Sequence, residues 1–494
     1  MILRQLTALI VSICLTATSV MAAGEDLPDI GSPADTVLSR ERETQIGRSI
    51  YKSLRDTGRI VSDPELQEYI QDVGQKLVVH APDSGQKFQF FLVEDPAINA
   101  FALPGGYIGI HTGLLLATQN ESELAGVLAH EISHVTQRHI SRAIFANQRA
   151  SILTMAALLG AILLGAATGS GDAVQGAIVA AQSAAAQQQI NFTRSNEYEA
   201  DRVGVGLLAS AGFDPDGMAS FFETLARQTG PLASQAPEFL RTHPVTVNRI
   251  AETRERAAQL LRTDAADSIG YRLARARILL ATTPVLSAAV DRLDAERQDP
   301  TRVGDIGTEY GLALAKLQSG NFREAESAFD RLLGTNPSVI AFHIGLARAQ
   351  IGAGETRNAF RTYEKAMELF PRNVPLTVYF AEALMQANRA DDAHEILLDL
   401  LNTVPPTPEQ VRLIALAASA AGDTGDAHYY MAEYHLTRGD LLLAADELRI
   451  ALGIRGLDPV QRARFSSRLT EVQEVINRLQ AEQRRESAAP LYRG

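Results

Sequence analysis

The sequence is nearly without cysteine. Of its 494 residues only Cys14 carries a thiol, and that residue lies in a stretch with the marks of a secretory leader. Arg4 supplies the positive end, Leu6 to Val20 a short apolar run, and Val20-Met21-Ala22 a small-residue cleavage site. The bulky Ile13 before Cys14 suits a lipoprotein cleavage site poorly. Removal of residues 1–22 would take the last thiol with it, which excludes disulfides and cysteine chemistry from the mature chain. Positive charge is also scarce. Lys and Arg number 46 against 58 Asp and Glu, a net charge of −12, so the chain lacks the basic surface of a general nucleic-acid binder and any broad attraction to anionic lipid. Long apolar runs are short too. Ile152 to Ala167 spans 16 residues with small or polar interruptions, under the roughly 20 that cross a bilayer. For residues 151–189 three arrangements stay open: a buried or self-packed helical hairpin inserted in a domain, a hairpin that touches a membrane or a membrane-protein partner, and a true span.

What is present is a globular composition, 46% apolar and 21% charged, at a length that calls for two or three cores. Ala23 to Ser39 has the Gly, Pro and Asp content of a flexible lead-in. Residues 40–260 mix two kinds of pattern. Lys87 to Asp95 and Tyr107 to Leu115 are rich in aromatic and β-branched residues, with the turn signal Pro104-Gly105-Gly106 between them. The rest is helical in period, so the segment predicts an α+β domain, mainly helical around a small sheet. The strand from Tyr107 is expected to lie beside the cleft with one edge free, where an extended peptide could add by backbone hydrogen bonds.

The second half repeats. Ala313, Ala347 and Ala381 are 34 residues apart, as are Ala325, Ala359 and Ala393, and Pro337, Pro371 and Pro405. Large residues recur at Phe329, Tyr363 and Leu397, and turn residues at Gly320, Gly354 and Asn388. This is the period of tetratricopeptide helical hairpins, which bury their apolar faces only by stacking. An α-solenoid over residues 305–490 follows, joined to the first domain by connecting helices in 261–304. Gly439 comes half a period after Gly422, which predicts a shortened or fused unit, and Arg464 to Glu486 should form a capping helix.

The chemistry sits in Val127 to His139. Asn120 and Glu123 predict a helix N-cap with its capping box. On that helix His130 and His134, four apart, share one face and can direct nitrogens at one zinc ion. Glu131 is one step round, placed to take a proton from a water and later deliver it to the leaving amine. His139 falls on the far side of the same helix and is expected to be solvated. Gln137 and Ile140 stand where a metzincin needs Gly and His, which excludes that subclass. In Ser195 to Gly204, Glu197 and Asp201 share a helix face and suit a carboxylate ligand and an acid that orients a zinc-bound histidine. Glu199 points elsewhere.

His-Glu-x-x-His followed by Glu197-x-x-Ala200-Asp201-Arg202 resembles the membrane-associated gluzincin family of HtpX and the CAAX prenyl proteases. Asn99 to Leu115 is similar to that family's strand-turn-strand, and Arg241 to Ile250 to its His-Pro segment. The leader and the repeats narrow the resemblance to the periplasmic, tetratricopeptide-bearing branch. The resemblance implies a zincin-like fold and a zinc endopeptidase with one ion per chain. His130, His134 and Glu197 would be its ligands, Glu131 its base, and Asp201 a supporting acid. It implies action on unfolded or misassembled outer-membrane proteins, with the solenoid binding clients or outer-membrane assembly machinery on its concave face. His243 would be either a donor to the tetrahedral intermediate or, the favoured reading, a latch in zinc's fourth position. A second class of function stays open as well: a non-proteolytic scaffold or chaperone whose repeats bind assembly clients.

Overall fold

The computed structural model describes residues 38–82, 85–146, 194–228, 237–261, 266–300, 304–402 and 406–488. The expected leader, nearly all of the lead-in and the 151–189 insertion lie outside the described residues. Leu38, at the end of the expected lead-in, is buried, and Ser39 caps the first helix by accepting from Arg42 N.

Two amphipathic helices open the fold, α1 (Arg40–Asp56) and α2 (Pro64–Val78), the second capped by Asp63 through Glu65 N and Leu66 N. Three short strands follow: β1 (Gln89–Val93), β2 (Ala100–Leu103) and β3 (Tyr107–His111), in the order β1-β3-β2. β1 runs parallel to β3 with Gln89 opposite Tyr107, and β2 runs antiparallel to it with Ala100 opposite Ile110. This corrects the expectation of a free edge on the strand from Tyr107, because β3 is the central strand. The turn at Pro104 to Gly106 folds a strand absent from the alternation pattern, β2, back onto β3. Gly105 and Gly106 both take left-handed backbone there, φ 77° and 87°, which glycine adopts without penalty. The described sheet has two edge strands, β1 and β2, and the segment Arg59 to Val61 bonds to the outer edge of β1 at Leu92 and Glu94.

The remaining helices of this part are α3 (Thr112–Ala117), α4 (Glu121–Thr136), α5 (His139–Ala146), α6 (Arg194–Ser210), α7 (Gly217–Gln228), α8 (Glu238–Thr242) and α9 (Val247–Ala258). α4 is the pivot. Its residues from Glu121 to His134 are all buried, under β2 on one side and α6 and α7 on the others. Asn120 accepts from Glu123 N as expected, but Glu123 reaches back to Gln119 N instead of closing a box on Asn120. α6 comes close to α4 at Gly204, where a Cβ would stand 3.2 Å from the backbone N of His130.

α10 (Ile269–Thr282) belongs to two cores. Tyr271, Ala274 and Ile278 pack with α4 and the sheet, while Leu273, Ala276 and Leu280 pack into the helices that follow. After α11 (Leu286–Gln298) the repeats form hairpins: α12 (Ile306–Gln318) with α13 (Phe322–Thr335), α14 (Ile340–Gly352) with α15 (Thr356–Leu369), and α16 (Val374–Gln386) with α17 (Ala390–Leu401). α18 (Pro408–Ala420) with α19 (Thr424–Arg438) and α20 (Leu441–Gly453) with α21 (Pro459–Ala488) complete them. The recurring Ala and large residues of the 34-residue period are all buried, and Gly320, Gly354 and Asn388 have positive φ at the hairpin turns. Gly439 ends α19 in left-handed backbone.

Helices of the second half meet α1 and α2. Arg277 of α10 is buried; it donates to Tyr310 Oη at 2.7 Å, pairs with Glu65 at 2.9 Å and contacts Asp63. Asn373 Nδ2 donates to Glu68 Oε1 at 2.7 Å, Lys52 pairs with Asp440 at 3.2 Å, and Arg438 pairs with Asp56. Helices from the second half of the chain are therefore tied to α1 and α2 by polar contacts within the chain. Among the described residues no helix is long and apolar enough to cross a membrane.

Candidate metal centre

α4 stacks His130 and His134 one turn apart, with their Nε2 atoms 3.0 Å from each other. The Gly204 approach brings the first turn of α6 alongside. Glu197 Oε2 then lies 3.6 Å from His130 Nε2, and Oε1 lies 3.5 Å from His134 Nε2. The loop between α8 and α9 contributes His243, whose Nδ1 is 3.3 Å from His130 Nε2 and 3.2 Å from Glu197 Oε2. One ligand atom from each of these four residues falls within 4.8 Å of the others, and all four side chains are buried. Nitrogen lone pairs so close repel one another unless a proton or a metal ion lies between them. Three imidazoles and a carboxylate form a donor set suited to zinc, so the residues fit the ion that the sequence implies. Glu131 fits as well: its Oε1 is buried with no hydrogen-bond partner among the described residues, and His243 Nε2 stands 3.6 Å away.

A ring of support surrounds these groups. Asp201 Oδ1 is 2.9 Å from His130 Nδ1, close but off the line of the ring N–H. No motif in the sequence singles out Arg249, yet it is 2% exposed at the centre of the site. Its Nε and Nη2 donate to Asp201 at 2.7 and 2.8 Å, and its Nη1 lies 2.9 Å from Glu197 Oε2 and donates to Pro244 O. One guanidinium thus ties both acids of α6 to the loop that carries His243. The only sequence signal is its place in the His-Pro segment, five residues after Pro244.

The charges follow from this packing. Burial lowers the His130 imidazole, but Asp201 and Glu197 outweigh it and hold it up at about 9. Burial and the neighbouring His130 push His134 well below its ordinary value. Burial would raise Glu197, yet His243, His130 and His134 bring it well below the usual carboxylate range. Asp201 is likewise raised by burial and lowered further by Arg249 and His130. Both acids are ionised, as a cation site requires.

His139 overturns its expectation. α4 does not continue to it but ends at Thr136; Arg138 takes φ 52°, and His139 begins α5 folded back beneath the site. It is fully buried, with Nδ1 2.8 Å from His134 Nδ1 and Nε2 3.3 Å from Glu199 Oε2. Burial chiefly lowers its pKa to about 4. Glu199 does point away from the four ligand candidates, to His139 and Arg142.

Residues 64–257 match the model of peptidase family M48, and residues 350–417 match a tetratricopeptide repeat model. The chain is 38% identical over 425 residues to a putative beta-barrel assembly-enhancing protease of Vibrio cholerae, covering 85% of this chain and 87% of that one. It is 32% identical over 460 residues to the beta-barrel assembly-enhancing protease of Escherichia coli strain K12, covering 92% and 93%. Over 160 residues it is 32% identical to the mitochondrial metalloendopeptidase OMA1 of Arabidopsis thaliana, covering 32% and 30%.

Proposed function

Since the chain belongs to peptidase family M48 and carries tetratricopeptide hairpins behind its peptidase part, we propose that it is a periplasmic zinc endopeptidase acting on misfolded or stalled outer-membrane proteins. The observation that carries the reading is the convergence of His130, His134, Glu197 and His243 beside a buried Glu131 oxygen with no hydrogen bond among the described residues. The outer-membrane setting draws on the names of the two relatives that align along most of the chain.

His130, His134 and Glu197 would hold the zinc ion, which supplies a Lewis acid for the scissile carbonyl and acidifies a water. Glu131 Oε1 takes the proton of the attacking water and passes it to the amine nitrogen as the C–N bond breaks. Asp201 and Arg249 keep His130 and Glu197 in place. An extended substrate would add along β2, the edge strand that lies against α4. Nearby, Asn99 is 2% exposed and its Oδ1 has no hydrogen-bond partner among the described residues, so it could accept from a substrate amide.

His243 acts as a latch. Its Nδ1 faces the point that the other ligand atoms share, which favours the fourth metal position over donation to the intermediate. The helix before it is tied to the entry of β2 through Phe239 N donating to Ile98 O at 3.2 Å, so lifting this loop would free both the metal and the strand edge. The test is zinc content together with hydrolysis of an unfolded protein by the full chain, with and without Glu131→Gln. Near wild-type turnover in that variant would sink the mechanism.

A further inference from the structure

His130 and His134 are supported by different groups. Behind His130 Nδ1 stands Asp201 at 2.9 Å, itself gripped by Arg249. Behind His134 Nδ1 stands another imidazole, His139, at 2.8 Å. The direction of this second contact follows from counting protons. His134 turns Nε2 toward the other ligand atoms, so that nitrogen presents its lone pair there and the ring proton is on Nδ1. The Nδ1–H therefore donates to the Nδ1 lone pair of His139. The proton of His139 is then on its Nε2, which donates to Glu199 Oε2 at 3.3 Å, and Arg142 Nη1 donates to the same oxygen at 3.0 Å. Each of these contacts then pairs one donor with one acceptor, and the row ends on the ion pair of Glu199 with Arg142.

We infer that His139 is a positioning residue for the metal: its Nδ1 lone pair fixes the ring orientation and tautomer of His134. The backbone is built to place it there. Arg138, in left-handed backbone that a non-glycine residue rarely adopts, donates to Glu43 Oε1 at 3.0 Å and to Leu38 O at 2.7 Å. That turn returns His139 beneath His134, where a continuing helix would carry it away.

The inference rests on the proposed ligand role of His134, and the experiment separates the two. Zinc affinity of the full chain is measured by competition with a chromophoric chelator, alongside the unfolding midpoint of the metal-free protein. His139→Leu is expected to weaken zinc binding about ten- to a hundredfold, the usual effect of losing a partner behind a ligand. His139→Asn puts an amide oxygen near the place of Nδ1 and should restore affinity to within about threefold. Glu199→Leu, at a partly exposed site, should weaken binding less than His139→Leu does. If His139→Leu binds zinc like the parent, or His139→Asn loses as much as His139→Leu, or affinity falls only in step with the metal-free midpoint, the inference is overturned. No effect of Glu199→Leu would end the row at His139. If His134→Ala also leaves affinity unchanged, it is the ligand reading that fails.

Discussion

In the proposed mechanism, Glu131 is the residue at which metal binding and turnover part. Its Oε1 carries no hydrogen bond among the described residues, so Glu131→Gln removes a base and little else. The variant should retain zinc and lose at least about a hundredfold in hydrolysis, read from metal content and cleavage of an unfolded protein. Glu197→Ala should instead lose zinc, since it deletes the only carboxylate among the four convergent ligand atoms; a fully loaded variant would mean that another acid is the ligand. His243→Ala distinguishes its two roles: a latch predicts faster proteolysis by the isolated protein, a donor to the intermediate slower. The pairs His130 and His134, and Glu197 and Asp201, are legible in the sequence because helix geometry alone puts positions four apart on one face, whereas His243 enters only through the family resemblance. Arg249 and His139 are not legible. The first depends on which loop folds over α6, the second on α4 ending at Thr136, and neither is set by spacing.

At the scale of elements, the site depends on two helices lying unusually close. Gly204 has no side chain to hold α6 off α4, and a Cβ at that position would meet the His130 backbone at 3.2 Å. Gly204→Val should force the helices apart, drawing Glu197 from His130 and His134, and lower zinc affinity more than it lowers the unfolding midpoint of the metal-free protein; unchanged affinity would refute this. β2 makes a separate prediction. Pairing along a strand edge is read through the backbone, so the products of unfolded substrates should show loose side-chain preference, and a strict single-site consensus by mass spectrometry would count against it. Sequence alternation marks β1 and β3 but not β2, whose four residues are too few to show a period. The pattern alone therefore puts the free edge on the wrong strand.

For the whole molecule, the 34-residue period predicts the hairpins and their buried positions, because stacking repeats the same packing in each unit. Which repeat helices meet α1 and α2 is not legible, since that depends on single polar contacts between distant segments. One of them makes stability pH-dependent. Burial pushes the Glu68 carboxyl up to about 7, Asp72 adds to the rise, and the Asn373 amide works against it. The folded protein therefore holds this proton more tightly than the unfolded chain, whose glutamates titrate near about 4.3. This contribution is complete below about pH 4 and is lost as pH rises through about 7. Glu68→Gln should raise the unfolding midpoint at pH 8 by about 2–4 °C and leave it nearly unchanged at pH 4; equal shifts at both would exclude the carboxyl as the cause.

The same contacts bear on how the chain comes to be folded at all. Glu68 and Asn373 are 305 residues apart, and Asp56 and Arg438 are 382 apart. Closing loops of that length delays folding, because their entropy is lost before the contact rewards it. The first two helices emerge earliest, yet partners such as Asn373, Arg438 and Asp440 do not exist until most of the polypeptide has been made. A protease held together by contacts of this range gains them only after its repeat helices have been made.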